Sequence, residues 1–288
     1  MARERELAHG VRLVVAYDGT DFAGWQRQPG QRTVQSTLGG AVHGVTVHRT
    51  RLRGASRTDA GVHALGQVAS FACDRELPPD AWIHELNRRL PEDASVAHAE
   101  PCAADYDPRH DATGKTYRYL MRVGRVRDPL TRHRAWQVGP QLARRRATRA
   151  PFPSTEDYLD VVAMAEAAAA LEGAHDFRAF QASNDDREET VRTLHRVDVM
   201  PGFGGRRDLL AVEVEGNAFL KNMVRILAGT LLDVGRGKRT PEAISDLLTP
   251  QAERGAAGPT APAHGLTLVQ VHLGRRAPGT AGRRAGGR

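Results

Sequence analysis

Two observations predict a mixed α/β chain of the α+β kind. Short runs of apolar residues recur at the two-residue period of strands, and between them apolar residues fall at the 3.6-residue period of helices. A third fixes the architecture: the resulting order, βαββαβ, comes round twice in 288 residues. Two ferredoxin-like halves, each with an antiparallel sheet flanked by helices, fit that order. The halves share element order, not visible sequence.

In the first half Val11, Leu13, Val15 and Tyr17 alternate with other residues, as in a half-buried strand. A glycine-rich loop from Asp18 to Gln28 follows, then a helix from Val34 to about Val47 with Val34, Leu38, Ala41, Val42 and Val45 on one face. A short strand around Leu52 leads into a polar turn at Asp59, and Gln67 to Cys73 reads as the next strand. Pro79 opens a helix carrying Ile83, Leu86 and Leu90, and Ser95 to Ala103 closes the half as a strand.

The second half repeats the scheme: a strand at Thr116 to Val123, an alanine-rich helix from Asp157 to Leu171, and strands at Thr193 to Met200 and Leu209 to Glu215. A helix from Ala218 to Val234, a shorter one after Pro241 and a last strand at Leu266 to Leu273 complete it. The expected division is a flexible stretch 1–10, domains 11–110 and 111–274, and a disordered basic tail 275–288. Gln141 to Thr155, rich in arginine and proline, reads as an unstructured loop.

The formal net charge of +7 arises from 41 basic and 34 acidic residues, and all but Lys115, Lys221 and Lys238 of the basic ones are arginine. A basic surface attracts polyanions, so nucleic acid is the expected partner class. Cys73 and Cys102 are too few for a disulfide framework and sit in no zinc-ligand spacing. The first ten residues form no apolar leader, and no apolar run approaches the roughly 18 residues that span a bilayer. A soluble, cytoplasmic protein with no membrane partner is expected.

The stretch GASRTDAGVHALGQVASF, Gly54 to Phe71, places Asp59 in a polar turn running into an apolar strand, with Arg57 two residues before it. An aspartate in such a turn commonly caps backbone. Held at a sheet's edge it is also an ionised carboxylate, available as nucleophile or base without a metal. If the strand extends that far, Arg57 and Asp59 share a face. In KTYRY, Tyr117 and Tyr119 alternate on one strand face, a pattern usual for core aromatics. In the stretch from Asn217 to Leu227 the helical period groups Phe219, Met223, Ile226 and Leu227, and puts Lys221 and Arg225 together on the opposite face. The His175-Asp176 pair lacks further ligands at helical spacing, so a metal-hydrolase reading is set aside.

RTDAGVHA, KTYRY and FLKNMVR, with YDGTDFAGWQRQ, EGAHDFRAF and APAHGLTLVQVHL, together resemble the bacterial tRNA pseudouridine synthase A family from about Val11 to Leu273. The resemblance implies a pseudouridine synthase fold with two RRM-like halves and conversion of uridine to pseudouridine at positions 38, 39 and 40 of the tRNA anticodon stem-loop. It implies a homodimer, and an isomerisation that calls for no cofactor and no metal. By the same resemblance Asp59 is the nucleophile and Arg57 enters the RNA where the base is displaced. Tyr117 packs on the flipped base, Arg225 pairs with the carboxylate, and Lys221 joins Arg57 and Tyr117 in binding substrate. Tyr106 stands where phenylalanine is more usual, Pro108 and Arg109 follow it, and Gln141 to Thr155 looks expanded. A non-catalytic RNA-binding module of RRM type is the competing expectation, but no RNP1-like string of alternating aromatics occurs and aromatics are only 5% of the chain.

Overall fold

The computed structural model describes residues 7–46, 50–139 and 154–274. The expectations for residues 275–288 and for most of Gln141 to Thr155 therefore lie outside the described residues, as do 1–6 and Val47. The chain divides into two compact units, one taking in residues through Thr113 and again from Val269, the other spanning Gly114–Leu268.

In the first unit, β1 (His9–Tyr17) buries alternate residues, with Leu13 and Val15 among the most enclosed of the core. It pairs antiparallel with β3 (His63–Cys73) on one side and β4 (Ala94–Cys102) on the other. The two-residue β2 (Arg53–Gly54) pairs with β3. Helix α1 (Val34–Thr46) buries the face that periodicity assigned to it, from Val34 to Val45. Helix α2 (Pro79–Asn87) turns Trp82 and Leu86 inward, with Trp82 edge-on to Phe71 at 5.3 Å, whereas Ile83 and Leu90 are half-buried. It stops at Asn87, whose amide accepts from Val96 N–H at 2.7 Å and donates to Val96 O at 2.9 Å, tying the helix to β4. β3 starts at His63, earlier than the apolar run suggests, because the ladder continues past the exposed Leu65 to a pairing of Ala64 with Tyr17. A single turn, α3 (Pro108–Asp111), is capped by Asp107, which accepts from Arg109 N–H at 2.9 Å.

In the second unit β5 (Ala112–Val123), β9 (Leu209–Gly216), β8 (Val191–Pro201) and β7 (Gly173–Asp176) lie side by side, antiparallel, and β6 (Trp136–Val138) runs parallel to β5. Helices α4 (Val161–Ala169) and α5 (Met223–Gly235) pack on one another, and α4 also on β8. The last strand, β10 (Leu266–Leu273), begins in this unit and ends in the first. A mostly antiparallel sheet flanked by helices is thus the observed class.

Three expected helices are shorter or of another kind. The stretch from Asp157 to Leu171 yields only α4, because Asp160 caps its start by accepting from Ala163 N–H and a separate 3-10 turn is boxed off by Ser154 and Asp157. The expected helix from Ala218 begins five residues late. Asn222 takes a left-handed conformation, φ 60°, and Asn217 Oδ1 accepts from Ala218 N–H, so residues 217–222 form a loop. Past Pro241 the chain makes a 3-10 turn, Glu242–Leu247.

Tyr119 of β5 anchors the core of the second unit. It is fully buried, its hydroxyl donates to Pro262 O at 2.8 Å, and its ring occupies the space that Gly265 leaves by lacking a side chain. Burial pushes its phenol far above the ordinary range, so it is a neutral donor. Tyr119→Phe should cost about 1–2 kcal/mol, since it strands a carbonyl while leaving the ring in place. Denaturant titration checks this: an unchanged midpoint would mean that the bond adds nothing.

Candidate active site

Asp59 sits at the tip of an exposed turn whose flanks are buried. On the amino-terminal side, the ladder of β2 ends after Ala55, whose N–H donates to Val68 O at 2.8 Å. From there a side chain takes over the role of a strand. The fully buried Gln67 accepts from Ser56 N–H at 3.2 Å and donates to Ser56 O at 2.8 Å, holding both backbone groups of one residue. Thr58, 7% exposed, is fixed by a hydroxyl contact of 2.7 Å with Tyr17, and its carbonyl accepts from Trp25 N–H at 3.0 Å. The turn closes when Val62 N–H donates to Asp59 O.

The early glycine-rich loop is the other half of this brace. Gly24 has φ +92°, and a Cβ there would lie 2.7 Å from Thr58 O and 3.2 Å from the backbone of Asp59 and Ala60. A Cβ on Gly19 would lie 2.0 Å from Val62 O. Backbone therefore packs on backbone, a closeness only glycine permits. The result is an exposed carboxylate on a rigid mount, the arrangement a nucleophile requires.

Arg57, also exposed, stands before the turn rather than on a strand, since residues 56–59 form no ladder. The strand-face relation to Asp59 expected from spacing therefore does not hold. Arg57 instead lines a hollow of about 230 Å³ with Trp25, Arg51, Arg53 and Arg109.

In the second unit, Tyr117 of β5 is 7% exposed and meets Phe219 edge-on at 5.1 Å. Arg225 lies in the first turn of α5, half-buried, with Nε donating to Ala261 O at 2.7 Å and a terminal nitrogen donating to Asn222 Oδ1 at 2.9 Å. Those bonds orient the guanidinium. α5 is buried on nearly all sides, so there is no broad polar face opposite its apolar arc. Lys221 precedes the helix, its N–H donating to Asp185 Oδ2 at 3.0 Å, and does not share a helix face with Arg225. His175 and Asp176 serve their own turn: His175 Nε2 lies 2.7 Å from Glu172 O, and Asp176 Oδ1 accepts from Thr190 Oγ1 at 2.6 Å. Among the described residues no group of His, Cys, Asp or Glu could hold a metal ion, and no helix is long and apolar enough to cross a membrane.

Sequence reasoning missed the brace. Its signals were present: an uncharged amide, Gln67, inside an apolar strand, and glycines in the loop Asp18 to Gln28.

A family model described as tRNA pseudouridine synthase matches residues 13–111 and 167–272, and the chain belongs to that family. It is an isomerase that forms pseudouridine in tRNA. Among curated relatives, a tRNA pseudouridine synthase A of Geobacter sp. (strain M21) is 40% identical over 262 residues, covering 91% of this chain and 98% of that one. Proteins of the same name from Pelobacter propionicus and Myxococcus xanthus are each 42% identical over 261 residues, with 91% of this chain covered and 98% and 91% of theirs. Among solved structures, a Cbf5-Nop10-Gar1 complex matches with a TM-score of 0.28 at 13% identity, over 77% of this chain and 54% of that one, a likeness too slight to carry an argument. The family-model match takes in Asp59, Arg57, Lys221 and Arg225, while Tyr117 falls in the unmatched interval 112–166.

Proposed function

We propose that the chain isomerises uridine to pseudouridine at positions 38, 39 and 40 of the tRNA anticodon stem-loop, as a cytoplasmic homodimer with Asp59 as its nucleophile. The observation that carries this reading is the exposed carboxylate mounted on a turn braced by Gln67, Thr58 and Gly24. Exposure keeps Asp59 within reach of a substrate, and the brace limits the freedom lost in aligning it.

In the reaction the N1–C1′ bond breaks, the uracil turns, and a C5–C1′ bond forms. The proton on C5 is lost and N1 gains one. Asp59 either forms the covalent bond that releases the ring or takes a ribose proton to start elimination. Arg57 fills the place of the extruded nucleotide, which offsets part of the few kcal/mol that unstacking costs. Tyr117 contacts the ring, Arg225 supplies the counter-charge to the carboxylate, and Lys221 adds a phosphate contact. No electron or phosphoryl group changes hands, so the balance needs neither cofactor nor metal.

The test is incubation with an unmodified tRNA transcript carrying uridine at all three positions, followed by carbodiimide mapping. Signal at 38, 39 and 40 is expected. Signal confined to another arm would overturn the site assignment, and no signal at all would overturn the reaction. Sedimentation of the free enzyme tests the homodimer, which a monomer at micromolar concentration would refute.

A further inference from the structure

We propose that the hollow lined by Arg51, Arg53, Arg57 and Arg109 is a binding site for one phosphodiester of the RNA backbone, placed beside the turn of Asp59. The proposal rests on the reading of the chain as a tRNA-modifying enzyme. All of its walls belong to the first unit: strand β2 and its approach, the Trp25 loop, the start of α1, and the Asp107–Arg109 cap.

Charge is the first argument. Four guanidinium groups line the hollow against one carboxylate, that of Asp107, and Asp107 Oδ1 already accepts the N–H of Arg109. Among the described residues none of the four arginines forms an ion pair. Elsewhere half-buried arginines sit on carboxylates, as Arg12 does on Glu100, Arg118 on Glu213 and Arg122 on Asp208. Clustered like charges repel and destabilise the folded state, so an anion drawn from outside relieves a cost built into this surface. Guanidinium forks match phosphate oxygens in geometry as well as sign.

Rigidity is the second. Arg53 donates to Tyr106 O at 3.0 Å, and the same carbonyl accepts from Ser70 Oγ at 3.0 Å, which fixes the wall that carries Asp107 and Arg109 to β3. Gln35 ties the opposite wall by donating to Leu52 O at 2.9 Å and accepting from Arg27 N–H. Trp25, 2% exposed, packs its ring edge against Gly54, where a Cβ would fall 2.5 Å from Nε1, and so fixes the floor of the hollow. The mount is thus set before the RNA arrives.

Arg51 and Arg109 are exposed, so their replacement leaves the fold intact and isolates the charge. Binding of unmodified tRNA transcript should be measured across about 50 to 200 mM salt for Arg51→Gln, Arg109→Gln and the pair, with Arg88→Gln on the far end of α2 as control. The pair should flatten the slope of log affinity against log salt by about 1 and weaken binding about 5- to 50-fold, with KM raised and kcat at saturating tRNA unchanged. A slope and KM equal to those of the control would overturn the proposal. Inorganic phosphate observed by phosphorus NMR separates the sources: line broadening by wild type, lost in the pair, with RNA slope unchanged, would assign the hollow to free phosphate and overturn the RNA role. Failure of the parent reading looks different, because wild type would then make no pseudouridine whatever its salt slope.

Discussion

Asp59→Asn should lower kcat for pseudouridine formation by about 10³-fold or more while changing tRNA affinity by less than about threefold. The amide keeps the shape of the carboxylate and its place on the turn but can neither attack nor take a proton. Asp59 is exposed, so the change leaves no cavity and should not move the thermal midpoint. Single-turnover assays at saturating tRNA read the chemical step directly, and filter binding reads affinity. Residual turnover within about tenfold of wild type would remove Asp59 from the chemistry. A collapse of binding with kcat intact would make it a docking residue instead.

Gln67→Leu should be the most damaging single change near the site that touches no substrate. Leucine fills nearly the same space but takes from Ser56 the partners of its N–H and its carbonyl, in a fully buried position. At about 1–3 kcal/mol for each stranded backbone group, a loss of about 2–4 kcal/mol is expected, a fall of roughly 5–15 °C in midpoint for a chain of this size. Ser56 leads to Asp59, so kcat should fall by about 10- to 100-fold at temperatures where the variant is folded, with KM little altered. Gln67→Glu separates the effects: a charged carboxylate at 0% exposure should destabilise further still. Wild-type kcat in a folded Gln67→Leu enzyme would show that the turn holds itself.

Strands were the legible part of the fold. β1 alternates over enough residues for the pattern to rise above chance, and β4, β8, β9 and β10 lie within two residues of the apolar runs that mark them. Strands of two to four residues, β2, β6 and β7, offer too few positions for periodicity, and only the first was anticipated. The helix start at 218 misled because alanine suits a helix locally, while the Asn217 side chain takes the Ala218 N–H and Asn222 turns left-handed before the helix begins. At the candidate site, the exposed turn that carries Asp59 was legible because its residues are contiguous. The hollow was not, since Arg51 and Arg109 lie 58 positions apart in the chain and meet only through the anchoring of Tyr106 to β2 and β3.

The first unit finishes with residues made after the whole of the second. Gly66 of β3 abuts the carbonyl of Val269, Thr113 Oγ1 donates to His272 O, and Gly274 N–H donates to Asp111 O. On the ribosome, then, a strand edge beside the Asp59 turn waits through the synthesis of the whole second unit before its neighbour emerges. A nascent chain stalled at Leu268 presents that edge bare, ready to pair with another chain. Termination at Leu268 should accordingly yield aggregate, not a half-active enzyme.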